Sequence, residues 1–96
     1  MRIKEHEKNA IIEAAKYADP NARVWLFGSR SDDNKKGGDI DIAILSDTIN
    51  SDTMQKNHIK RHICSKIGEQ KIDIVTSSGG NEAIFKLAVS EGIELC

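Results

Sequence analysis

Two short apolar runs carry aspartate in strand-like sequence: Asp39-Ile40-Asp41-Ile42 and Ile72-Asp73-Ile74-Val75. Such segments have few ways to fold. In a β-strand alternate residues share a face, so Asp39 and Asp41 point one way while Ile40, Ile42 and Ile44 point the other. The isoleucine face must be covered by apolar structure. The aspartate face must stay wet, paired or bound to a cation, because an unpaired carboxylate cannot be buried cheaply.

The remaining segments supply what such strands need. Ile3, Ala10, Ile11, Ala14 and Ala18 lie near one helical stripe among Lys and Glu, and Asp19-Pro20-Asn21 stops it, so a first helix is expected from Ile3 to Ala18. Val24-Trp25-Leu26-Phe27 is apolar at both parities, which predicts a short strand covered on both faces and ended by Gly28, with Trp25 in the core. Ser31 to Gly38 is polar and closes on two glycines, a turn-rich connector into a strand from Asp39 to Leu45. Ser51-Asp52 is placed to cap an amphipathic helix in which Ile59, Ile63 and Ile67 recur every fourth residue and Gly68 ends the run. Lys71 to Thr76 reads as the third strand. After Ser77-Ser78-Gly79-Gly80 comes a last helix, with Ile84, Leu87 and Ala88 as its expected buried stripe, and Gly92 leaves a short tail.

The order α-β-β-α-β-α predicts an α+β fold, a small mixed three-stranded sheet flanked by helices, in one domain spanning residues 1–96. Strands two and three, joined by a helix, are expected to be parallel with a right-handed crossover. Strand one should run antiparallel to strand two, which brings Gly28 and Ser29 beside the acids.

That placement has chemical content. Asp39 and Asp41 are separated by roughly 6.6 Å of strand rise, and a paired third strand would set Asp73 roughly 4.8 Å to the side. Three carboxylates so close repel one another, and a hard divalent cation such as Mg²⁺ removes the penalty. Two such cations suit phosphoryl or nucleotidyl transfer, in which they hold the attacking and leaving oxygens. Asp39 and Asp41 would bridge them; Asp73 would bind the one nearest the nucleophile and accept the acceptor's proton. Gly28, without a Cβ, lets phosphate oxygens approach backbone N–H groups, Ser29 can donate a further bond, and Arg30, Lys35 and Lys36 can neutralise a triphosphate.

The chain's 96 residues, 39% hydrophobic and 30% charged with net charge −1, give no global field for a polyanion, so nucleic acid is not the expected partner. Neither a membrane-length apolar run nor a secretion signal is present, and Cys64 and Cys96 form no disulfide framework, so a cytoplasmic protein is expected. His58 and His62 have metal-ligand spacing, but Ile59 stands where a zinc-protease glutamate would be. The five Lys/Arg against one Glu between Thr53 and Lys71 read as a solvated helix face.

Phe27-Gly28-Ser29, nine residues, Asp39-Ile40-Asp41-Ile42, then a lone strand aspartate at Asp73, resembles the signature of the DNA polymerase beta-like nucleotidyltransferase superfamily. The whole chain is similar to its smallest members, the minimal nucleotidyltransferases (MNT), and Phe85 to Leu95 resembles their last helix and tail. The resemblance implies Mg²⁺-dependent transfer of a nucleoside monophosphate from an NTP, often ATP, to a hydroxyl. It also implies a HEPN-type partner, a helical toxin that some MNT antitoxins neutralise by adenylylating a tyrosine. Many relatives read Gly-Ser-x-Ala-Arg-Gly at the turn, where this chain has Gly28-Ser29-Arg30-Ser31-Asp32-Asp33. Either Arg30 or the Lys35-Lys36 pair takes the arginine's place, or nucleotide binding is weak and the chain acts by capping its partner. A small catalytic domain with one sheet side open would also permit a homodimer.

Overall fold

The computed structural model describes residues 3–28, 39–49 and 53–96. The elements are α1 (Glu5–Ala18), β1 (Arg23–Phe27), β2 (Ile40–Leu45), α2 (Thr53–Ile67), β3 (Ile72–Ser77), α3 (Ala83–Glu91) and β4 (Ile93–Glu94). The mixed sheet has the order β3-β2-β1-β4. As expected, β1 is antiparallel to β2 and β2 is parallel to β3. The expected three-stranded sheet gains a fourth strand, because the segment after Gly92 returns along β1 with Leu26 opposite Ile93 and Trp25 opposite Glu94. Two residues are too few to show an alternating pattern. Tertiary bonds hold them instead: Leu95 N–H donates to the Val24 carbonyl at 2.7 Å, and the Arg23 guanidinium grips Glu94 at 2.9 and 3.2 Å.

One sheet face is almost entirely apolar. Val24, Leu26, Ile40, Ile42, Ile44, Ile72 and Ile74 pack there against Ile11, Ala14 and Ala15 of α1 and Ile59 and Ile63 of α2. In α1 the Glu7 carboxylate accepts the Lys4 N–H at 2.8 Å, satisfying a donor that a helix start leaves free. Asp19 ends the helix, takes the Asn21 N–H at 2.9 Å, and receives the Ser46 hydroxyl at 2.5 Å, so the turn after α1 is tied to the end of β2. Gly68, at φ +92°, stops α2 as expected. The expected Ser51-Asp52 cap lies outside the described residues.

The opposite face carries α3. Trp25 and Ala43 pack against Phe85 and Ala88, and the Trp25 and Phe85 rings meet edge to face at 5.7 Å. The expected α3 stripe is therefore corrected: Ala88 is buried, but Ile84 and Leu87 are 60% and 55% exposed, and Phe85 takes the core position. Apolar residues occupy most of the circumference of this helix, so periodicity alone does not choose the inward side. The bulky ring that fits against Trp25 does. Gly92 lets the helix end against β1, where a Cβ would stand 2.6 Å from the Ala88 carbonyl oxygen and 2.7 Å from that of Leu26. The sheet side expected to be open is thus covered in its middle. Among the described residues no helix is long and apolar enough to cross a membrane.

Candidate active site

The acids lie on the α3 side of the sheet, at the start of β2 and β3. Asp41 has the parity of Ala43, and the parallel register sets it directly opposite Asp73, while the antiparallel register sets it opposite Phe27. Since α3 packs chiefly over β1, this end of β2 and β3 is left partly open: Asp41 is half-buried and Asp73 exposed. Asp39, just before β2, lies beside Lys71, because the Ile40 N–H donates to the Lys71 carbonyl at 3.0 Å.

Gly28 completes this corner. At φ +73° its backbone is in the left-handed region that favours glycine, and a Cβ there would run into the Asp41 carboxylate. The small-residue bend and the second aspartate thus meet through backbone and side chain. Ser29, Arg30, Lys35 and Lys36, expected to hold the triphosphate, lie outside the described residues, as do Asp32 and Asp33.

Electrostatics set Asp41 apart. Its pKa is raised from 3.8, first by loss of solvation, then by the negative charges of Asp73 and Asp39, and by a hydrogen bond shared with Asp73; Lys71 opposes the rise. Among the described residues no three His, Cys, Asp or Glu side chains are gathered into a metal cage. Asp39 Oδ2 is instead 3.6 Å from Lys71 Nζ, while Asp41 turns to Asp73. The three acids thus share one end of the sheet without closing on a single point. The donor set nevertheless suits a hard divalent cation: every donor is a carboxylate oxygen, and mutual repulsion is the strain a cation relieves. Lys71 joins this corner without having stood out in the sequence. Its one sign there is parity, two residues before Asp73 and so on the same strand face.

His58 and His62 sit on the far side of the sheet. Together with Tyr17 and Arg61 they line a groove of about 540 Å³ between α1 and α2. His62 Nε2 is 3.2 Å from Glu13 Oε1, a surface contact on the helix pair.

The fold and the acid-bearing strands define a nucleotidyl-transferring class, and residues 9–96 match the family model "Polymerase beta, Nucleotidyltransferase". The chain belongs to the polymerase beta nucleotidyltransferase family. Among curated proteins none matches it significantly. Solved structures share its fold. A toxin–antitoxin MntA–HepT crystal structure aligns over 97% of this chain and 72% of its own, with TM-score 0.68 and 22% identity. A tri-AMPylated Shewanella oneidensis HEPN toxin in complex with its MNT antitoxin aligns over 94% and 69%, with TM-score 0.68 and 24% identity. A double aspartate-to-glutamate mutant of an MntA pair aligns over 93% and 72%, with TM-score 0.72 and 22% identity.

Proposed function

We propose that this chain transfers AMP from ATP to a hydroxyl, a tyrosine of a helical HEPN-type toxin, and serves as that toxin's antitoxin. The observation that carries the reading is Asp41 facing Asp73 across parallel strands, with Gly28 folded against the Asp41 carboxylate. Family membership and the fold shared with MNT antitoxins support it.

Asp39, Asp41 and Asp73 would hold the divalent cations, Mg²⁺ in the cell. When bound, the metal withdraws charge from the phosphate oxygens and from the attacking hydroxyl. Asp73, exposed and on the edge strand, is open to an approaching acceptor and would take the hydroxyl proton on a carboxylate oxygen. The acceptor oxygen forms a bond to the α-phosphorus, the bond from that phosphorus to the β-phosphate oxygen breaks, and pyrophosphate leaves. Gly28 and Ser29 would receive phosphate oxygens, with Arg30, Lys35 and Lys36 as counter-charges. Two free cysteines and the absence of a described membrane-length helix are compatible with a cytoplasmic setting.

Incubation with Mg²⁺, labelled ATP and a helical partner toxin should place label on the partner. Replacing Asp41 or Asp73 with Asn should lower transfer at least about 100-fold; undiminished transfer in either variant would refute the assignment. A second reading rests on Asp32 standing where many relatives carry a phosphate-facing arginine: neutralisation by capping alone. It requires the triple Asp→Asn variant to neutralise the toxin as well as the parent chain does.

A further inference from the structure

The carboxylate end of the sheet contains a cation of its own. Lys71 precedes β3, and its carbonyl bond to the Ile40 N–H fixes it beside Asp39 by main-chain register. Its ammonium stands 3.6 Å from Asp39 Oδ2. Two residues further on, with the same parity, is Asp73. The site is therefore three carboxylates and one ammonium, with the ammonium on the acid that precedes β2.

Building on the nucleotidyl-transfer reading, we propose that Lys71 is a positioning residue, a resident counter-ion that holds Asp39 until a divalent cation displaces it. Two consequences follow from Coulomb's law. With Lys71 in place the acids repel one another less, so they can stand together before any cation arrives. The same ammonium competes for Asp39, so free divalent ions bind weakly. A cation accompanied by a triphosphate competes better, because phosphate charge compensates the displaced ammonium.

Mn²⁺ binding to the full chain, followed by electron paramagnetic resonance without nucleotide, tests this directly. Because both side chains are largely exposed, screening keeps the effect small: Lys71→Gln should bind Mn²⁺ about twofold to fivefold more tightly than the parent, and Lys71→Arg should restore parental affinity. In an Asp39→Asn background the Lys71→Gln gain should disappear. Mn²⁺ affinity unchanged or weakened by Lys71→Gln overturns the proposal, as does a gain that persists without Asp39, or a parent chain that binds no Mn²⁺. The two readings fail separately. Label transfer with no Lys71 effect on Mn²⁺ leaves the transferase and removes the counter-ion, while the Asp39-dependent Mn²⁺ gain without transfer to any acceptor does the reverse.

Discussion

Asp41 is the residue where stability and chemistry oppose each other. Desolvation and its two acidic neighbours disfavour its charged form in the folded chain, so ionised Asp41 works against the fold. Replacement by Asn removes that repulsion while keeping the shape. Because the site is partly open to solvent, screening keeps the gain small, and thermal melts at low salt without divalent ions should show Asp41→Asn about 2 °C above the parent. Added Mg²⁺ should raise the parent's Tm and leave the variant's nearly unchanged. Gly28→Ala should act in the other direction. The left-handed backbone and the clash with Asp41 predict a loss of about 1–3 kcal/mol in urea unfolding, together with weaker transfer. All three aspartates and the glycine are legible in the sequence, since acid in an apolar strand is costly unless it binds something, and glycine at a strand end marks a bend. Lys71 is not, because one lysine among many carries no local mark until register sets it beside Asp39.

Among the elements, α3 separates periodicity from packing. Six of its nine residues are apolar (Ala83, Ile84, Phe85, Leu87, Ala88 and Val89), and the sequence offers several faces of comparable greasiness. Phe85→Ala should cost about 3–5 kcal/mol, while Leu87→Ser should remain within about 0.5 kcal/mol of the parent, as denaturant titration can check. The reverse ranking would restore the stripe expected from the sequence. Helices α1 and α2 are legible because each has one clear apolar face: Ile59 and Ile63, for example, recur one turn apart with Lys60, Arg61 and His62 between them. Strand β4 is illegible for a different reason. Its formation depends on Leu95 N–H reaching Val24 and on Arg23 reaching Glu94, partners about 70 residues distant in sequence that no local window contains.

For the molecule as a whole, acid stability combines opposed contributions. Asp19 lies below its ordinary 3.8 through the Ser46 hydroxyl and the Asn21 N–H; Glu82 and Glu94 lie below 4.5 through Ser77 and Arg23. Groups depressed on folding stabilise the native state above their unfolded values, and that contribution is lost as pH falls through their folded values. Raised Asp41 behaves oppositely: its cost is present at neutral pH and fades as it takes up a proton. A Tm profile from about pH 7 to pH 2 should therefore rise slightly before falling, and Asp19→Asn should flatten the falling limb. An unaltered limb would mean that Asp19 contributes nothing to it.

Parallel pairing of β2 with β3 also makes the chain's chemistry a reporter of its folding. The two facing carboxylates are donated by segments that cannot be neighbours until the intervening helix has crossed over and seated itself, a long-range closure that comes late and carries its entropy cost in advance. No fragment ending before residue 72 can assemble the pair. A stopped-flow refolding trace should therefore recover intrinsic helical signal before it recovers turnover.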